Sequence, residues 1–420
     1  MKRLLQSKRR GSALTFAVLA VFILLAMGVG LLSLGMNTRI YSIRNASDIS
    51  ARGAADAGLA IALFAMNKKL ETLPWDEDTL PQATTISLPY CDAVYNYEVT
   101  GDLDNGYVIT STGQSGQAQR TVRTAIVPKG LFDNAVFTKA DLILKSDTLI
   151  DGYNSLDALD SSTDAHIATQ SISESTLILN SGVVVNGDVR VGRGGNPDTV
   201  IKDLGAEIDG ATYAMTETVP LPEITVPSTL AYMGTAISAK GDTTTITPSD
   251  SGTYTSVALK AGKKPGVLEI RGGDVVLHVT GDIELGNLCE IVIKKGSSLD
   301  LYVDGDIHCR QDSGINTESA AKAAKTFELY ATGEGTQYFD LKAKTEWIGV
   351  VYAPNADVSL YAGGDIYGAV VADTFGLKAG GSYHYDRALQ TVSVQDQGVR
   401  FVADRWSEVT SSTSDLESDD

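Results

Sequence analysis

The chain has 420 residues, 43% of them apolar, enough for two or three domains at about 100–200 residues each. Its 52 acidic residues outnumber 34 basic ones for a net charge of −18, which argues against the clustered Lys and Arg of a nucleic-acid-binding surface. Four His and three Cys leave little material for zinc or iron–sulfur sites, and no cofactor is expected. With 41 Gly against 11 Pro, the composition suits many tight turns between strands.

Residues 1–10 carry five positive charges and no negative one. Gly11 follows, and the next 27 residues, 12–38, are uncharged. As a helix this run is about 40 Å long, enough to cross a bilayer core of about 30 Å with some tilt. The basic flank places the N-terminus in the cytoplasm; Arg39, Arg44 and Arg52 weaken that asymmetry without reversing it. A cleavable secretory signal fits less well, since its apolar region is about 7–15 residues and ends in small residues. A plain membrane anchor remains open. Helix-compatible sequence continues to Leu73, where Pro74 stops it. Leu59, Leu63, Met66, Leu70 and Leu73 fall at +4, +3, +4, +3 and form one apolar stripe. The first half of this helix needs lipid or other apolar helices, and the second half needs a globular cover.

A basic leader, a Gly, a small residue and an apolar helix that runs into an amphipathic half resemble a type IV prepilin. Ala54 to Leu59, AADAGL, is similar to the A-A-E-A-G-L stretch of PilX-type pilus assembly proteins. The resemblance implies that a prepilin peptidase cuts between Gly11 and Ser12. It implies other pilin or pseudopilin subunits and the inner membrane as partners. Major pilins usually carry Glu as the fifth mature residue; that position is Phe16 here. A neighbour's buried amine would then lack its partner, which argues against a bulk fibre subunit and leaves a tip, priming or low-copy subunit.

Residues 74–84 read as a polar linker. Residues 93–99, 106–113 and 120–127 read as strands, with a hairpin turn at 103–106. Packing them on the helix stripe covers both faces.

Beyond residue 130 a weak repeat appears. VVLHVTGDIEL (275–285), LDLYVDGDIHC (299–309) and VSLYAGGDIYG (358–368) share alternating aliphatics that run into Gly-Asp, and VVVNGDVRV (183–191) is a shorter relative. The first two are offset by 24 residues. The alignment puts Leu277, Leu301 and Leu360 at one inward position and Ile283, Ile307 and Ile366 at another. Gly tolerates positive φ at the turn and Asp binds local backbone. Such units suit a parallel β-helix; a β-sandwich stays open. Residues 135–155, 349–372 and 383–389 resemble a β-helical domain that follows PilX-type N-termini. Residues 317–325 have helix propensity. Residues 206–265 read as a surface insertion or irregular coils, and 407–420 as a disordered acidic tail.

The fold expected is mainly β. A leader (1–11), a transmembrane helix half (12–38) and an amphipathic half (39–73) precede a small strand module (85–130). A right-handed parallel β-helix (131–395) and an acidic Ser/Thr-rich tail (396–420) follow. Asp188, Asp282, Asp306 and Asp365 sit beside Gly and read as turn residues, although a stacked Asp column would suit Ca²⁺. His278 and His308 read as solvated surface groups, and His384 as structural. No G-x-S-x-G, P-loop or H-E-x-x-H is present, so no catalytic residue is expected. Cys289 and Cys309 are either a disulfide between neighbouring coils or two free buried thiols, with Cys91 unpaired. The reading is a non-enzymatic pilin-like subunit of a type IV pilus or pseudopilus, single-pass in the inner membrane, with its ectodomain periplasmic or at the cell surface. An adhesin on a plain anchor is the alternative, with outward Tyr302 and Tyr361 stacking on an extracellular polysaccharide; a β-helix polysaccharide lyase or hydrolase is a third.

Overall fold

The computed structural model describes residues 13–70, 75–103, 105–378 and 381–409. The chain divides into two compact units, Met1–Pro128 with Phe401–Asp420, and Lys129–Arg400. In sequence, the second unit is inserted into the first.

The first unit is one helix and one sheet. Helix α1 (Ala13–Lys69) is continuous. Strands β1 (Gln82–Ser87), β2 (Val94–Asp102), β3 (Gly106–Ser115) and β4 (Ala118–Lys129) form an antiparallel meander. The strand Arg400–Val409 joins beside β4. The hairpin turn is where the sequence places it: Asn105 N donates to Asp102 Oδ1 at 2.7 Å, and Gly106 takes φ 81°. β1 and Arg400–Val409 are strands that the sequence pattern does not mark. Their sequences lack strong alternation, and Arg400–Val409 buries a single residue, Phe401. Its ring packs 5.4 Å from Tyr107 and 5.7 Å from Trp75. Asn67 completes the attachment, since its side chain accepts from Phe401 N at 2.7 Å and donates to Phe401 O at 3.1 Å.

The buried stripe of α1 differs from the expected one. Leu59, Leu63 and Leu70 are half-buried. The fully covered positions are Ala51, Ala54, Ala55, Gly58, Ala62 and Met66. Leu73 lies outside the described residues. The cause is close approach of helix and sheet. A Cβ on Gly113 of β3 would lie 2.0 Å from Ala51 O and 2.5 Å from Ala55 N, and one on Gly58 would lie 2.3 Å from Ser111 Oγ. Small residues on both sides let the backbones meet, and the leucines flank the contact. The AADAGL run therefore supplies the contact surface itself.

The second unit is a stack of parallel strands. A rung is three short strands, and each strand pairs in parallel with its equivalent one rung away. Two neighbouring rungs illustrate the register, one pair for each of their three strands. Leu277 pairs with Leu301, Ile283 with Ile307, and Glu290 with Gly314. All three steps are 24 residues, the offset of the sequence repeat. The third repeat copy is placed differently from its sequence alignment. Leu360 pairs with Leu341 and Leu377, on the face that carries Leu285 and Cys309. Ile366 pairs with Trp347 and Tyr383, on another face. Trp347–Ala362 is a single long strand that crosses from one face to the next, so local similarity there misassigns the face.

The order of rungs departs from the order of the sequence. Val370–Ala372 pairs with Val136–Thr138, and Tyr383–Asp386 pairs with Ile150–Tyr153. The last rung in sequence thus stacks on the first. The stack runs from 231 to 386 and continues from 136 to 214. Its free ends are the strands Ala231–Tyr232 and Thr212–Ala214. They are roughly ten strand spacings apart, on the order of 48 Å. Residues 215–230 must cover that distance, and about sixteen residues reach at most ~58 Å when extended. The segment MTETVPLPEITVPSTL suits the task. Pro220, Pro222 and Pro227 hold an extended chain, and Met215, Val219, Leu221, Ile224 and Val226 pack on the core. Side chains of the rungs donate to its carbonyls: Gln170 Nε2 to Val219 O at 2.5 Å and Tyr352 OH to Pro222 O at 2.7 Å. Within 206–265, left unplaced by the sequence, the structure thus shows stacked strands on either side of this strap.

The Gly-Asp pairs hold rungs together. Asp188, Asp282, Asp306 and Asp365 each accept from a backbone N–H of the next rung: Ala211, Asp306, Tyr338 and Ser382, at 2.8–3.1 Å. The preceding glycines are required by space rather than by positive φ. A Cβ on Gly187, Gly281 or Gly305 would meet backbone of the neighbouring rung at 2.5–2.6 Å. Residues 317–325, expected to have helix propensity, begin at the end of the strand Gly314–Thr317 and reach only a 3-10 turn, Ala324–Thr326.

Two predictions test this packing. Gly113→Ala should destabilise the helix–sheet unit by about 1–3 kcal/mol through overpacking. Gly53→Ala, which has open space on the same helix, should be neutral or stabilise by up to about 1 kcal/mol; thermal unfolding of the detergent-solubilised chain compares them. In the strap, deleting four residues should detach or unfold residues 136–214. Inserting four Gly/Ser residues should cost less than about 1 kcal/mol, as read by limited proteolysis and melting.

Candidate functional site

Helix α1 presents the largest uncovered apolar surface among the described residues. Positions 14–46 are exposed throughout, including Leu14, Phe16, Phe22, Leu24 and Leu31 at 66–79%. Burial begins only at Ser47 and Asp48. There Arg120 of β4 clamps Asp48 through Nε and Nη2, both at 2.6 Å. The helix is long and apolar enough to cross a membrane by length and composition. Up to Thr38 this exposed stretch carries no charged side chain and no polar face to turn toward water, so it requires lipid or other apolar helices around it. Gly11 and Ser12 lie outside the described residues. Phe16 is one of the exposed apolar groups.

In the stacked unit, Cys289 and Cys309 are both buried free thiols, and Cys91 is free and exposed. Their spacing is not that of the rungs. Cys309 pairs with Leu285, and Cys289 precedes the Glu290–Gly314 pair, so the two cysteines occupy different columns. Burial pushes the Cys309 thiol up to about 12, which keeps it a protonated hydrophobe.

Polar side chains cluster at the seam where the last rung meets the first. His384 Nδ1 bonds Asp151 Oδ1, its Nε2 lies 3.8 Å from Asp365, and its ring stacks on Tyr367 at 4.7 Å. Burial alone would pull this imidazole down; the hydrogen bond and charge of Asp151, with Asp365, hold it above its usual value. Arg387 binds both carboxylate oxygens of Asp160 at 2.8 Å. Asp386, fully buried, accepts from the backbone N–H groups of Ser155, Ala324 and Ala388. Every one of these contacts has a structural partner, and together they close the seam.

His278 differs from the solvated group expected. It is half-buried, and its Nε2 lies 3.0 Å from Asp304 Oδ2. His308 is also half-buried, with its side chain on an outer face. Tyr302 is buried, stacked on Tyr330 at 5.1 Å. Its column continues outside the rungs through Tyr330 and Tyr352, the tyrosine that holds the strap. Tyr361 does face solvent. Among the described residues no group of three or more His, Cys, Asp or Glu is placed to hold a metal ion.

Two carboxylates are raised. Asp300 and Glu328 are paired neighbours on adjacent strands. Burial, with the charge of Asp274, pushes Asp300 up to about 6. Burial pushes Glu328 up to about 7; the Tyr330 hydroxyl opposes the shift and Asp300 adds to it. Lys325 and Asp396 also act on Glu328.

A family model described as a domain of unknown function (DUF7305) matches residues 206–392. The matched segment starts in the rung at the 214 end, includes the strap, and ends just beyond the seam. No curated protein matches the chain. A similar solved structure is the competence-associated pilin ComZ from Thermus thermophilus, at 12% identity and a TM-score of 0.23, with 86% of this chain and 97% of that chain covered.

The carboxylate pair gives a pH prediction with a defined sign. Acids with raised folded-state values bind more protons in the folded state, so their contribution is fully favourable below the unfolded value near 4 and is lost as pH rises through about 6 to 7. Asp300→Asn and Glu328→Gln should therefore each raise the melting temperature at pH 8 and leave it nearly unchanged at pH 4. Melting curves across that range check it; destabilisation of both variants at pH 8 contradicts it.

Proposed function

We propose that the chain is a non-enzymatic, pilin-like structural subunit of a type IV pilus or pseudopilus system. One observation carries the reading. A single unbroken helix is bare and apolar along its first half and is covered by a small antiparallel sheet along its second. Such a helix satisfies both halves when the first sits in a bilayer before assembly and among like helices afterwards. The prepilin-like leader supports processing between Gly11 and Ser12, with the leader in the cytoplasm and the remainder exported. Phe16 in place of the usual Glu supports a minor or tip position. The stacked unit, read as a right-handed β-helix, is the part displayed outside.

The test is the N-terminus of the native protein, determined by mass spectrometry of host membranes and sheared surface material. A chain that starts at Ser12 with a methylated amine is expected, together with loss of surface material in a Gly11→Leu variant. A native chain that starts at Met1 overturns the pilus reading and leaves an ordinary anchored β protein.

A further inference from the structure

We propose that a cavity of about 210 Å³ beneath the strap binds one neutral, hydroxyl-bearing sugar ring. It is bounded by the start of the strap, by Phe137 and Asn134 at the entry to the first rung in sequence, and by Arg190 and Tyr213 on the paired strands two and three steps further along the stack. Two buried side-chain atoms among the described residues have no hydrogen-bond partner, Asn134 Oδ1 and Arg190 Nε, and both residues line this cavity. An unpaired buried donor or acceptor costs about 1–3 kcal/mol. One is an acceptor and the other a donor. A hydroxyl group answers both, since it donates to one and accepts from the other.

The surroundings fix the rest of the chemistry. Arg190 is held in place rather than loose: its Nη2 donates to Asp188 at 3.2 Å, and its guanidinium lies over the Tyr213 ring at 5.7 Å. Tyr213 OH donates to the same Asp188 at 3.2 Å. Burial raises the Asp188 carboxyl, but the hydrogen bonds from Ala211 N, Arg190 and Tyr213 outweigh it and hold the group ionised. The positive charge of Arg190 is thus balanced before any ligand arrives. Lys129 at the rim is likewise paired, with Asp133 at 2.7 Å. Arg400, the third cation of the lining, donates to Pro220 O at 3.3 Å, and Glu217 lines the same cavity. Three cations therefore face three carboxylates, Asp133, Asp188 and Glu217, and a site balanced in this way favours an uncharged ligand over an acid. Met215, Leu221 and Phe137 supply apolar wall, which suits the C–H face of a sugar. A cavity of about 150 Å³ holds a benzene ring, so this one accommodates a substituted six-membered ring and not an oligomer. Access depends on the strap, whose first residues form one side. The proposal does not rest on prepilin processing.

The experiment uses the full-length chain in a detergent without a sugar headgroup, with methyl-labelled methionine. D-glucose, D-galactose and N-acetyl-D-glucosamine are titrated singly, with D-glucuronate and cyclohexanol as comparison ligands. At least one neutral sugar should bind with roughly millimolar affinity and shift the Met215 methyl signal while Met66 stays unmoved. Arg190→Lys keeps the charge but removes the Nε donor, and Asn134→Ala removes the acceptor. Each should weaken binding at least about tenfold. The Met215 signal in the unaltered protein keeps the test decisive if either variant fails to fold. The proposal is overturned if none of the neutral sugars moves Met215, if D-glucuronate or cyclohexanol binds as tightly as they do, or if both variants fold and bind like the parent.

Discussion

The second unit depends on one pairing, the parallel seam between Val370–Ala372 and Val136–Thr138 with its continuation at Tyr383–Asp386 and Ile150–Tyr153. Once the last rung stacks on the first, the two ends of the stack belong to neighbouring stretches of sequence at 214 and 231. The chain between them has to run back along the whole stack. That single constraint explains the proline spacing of the strap, the tyrosine that anchors it, and the polar contacts at the seam. Ser155, Asp160 and Asp151 meet Asp386, Arg387 and His384 only because of it. The cavity beneath the strap exists for the same reason, since its walls come from strap and rungs together.

Strand repetition was legible in the sequence, and the stacking order was not. Alternating aliphatics before Gly-Asp show that strands of one buried face recur, and the 24-residue offset survives in the register. Nothing in a local pattern says which rung lies next to which, because every rung presents the same aliphatic column. The third copy shows the weakness: VSLYAGGDIYG matches the motif, yet it belongs to a strand that changes face. The Asp residues are a milder case. Their turn position was readable, but each carboxylate serves the rung that follows, and that partner lies 17–32 residues away.

In the first unit, periodicity located the helix and missed its contact face by one step. Leucines dominate a hydrophobicity pattern, whereas the observed contact is made by Ala and Gly, where volume matters more than apolarity. Gly113 and Gly58 carry that information, and it appears only when the opposing backbone is in view. The exposed half of α1 was readable throughout, because a charge-free run of this length has few ways to exist. The candidate ligand site is not legible in the sequence: Asn134 and Arg190 are ordinary surface types there, and their unmet hydrogen bonds arise only from packing.

The insertion of one unit within the other has a consequence for synthesis. The sheet of the first unit is complete only when Arg400–Val409 arrives, and the rung at 136–153 lacks one neighbour until residues 366–386 are made. A chain emerging N-terminus first must therefore hold two open strand edges through most of its translation. Such long-range closures are slow, and unpaired edges invite adhesion to other chains. The sheet of the first unit is therefore closed by its last-made strand, Arg400–Val409, only after the whole inserted unit has been synthesised.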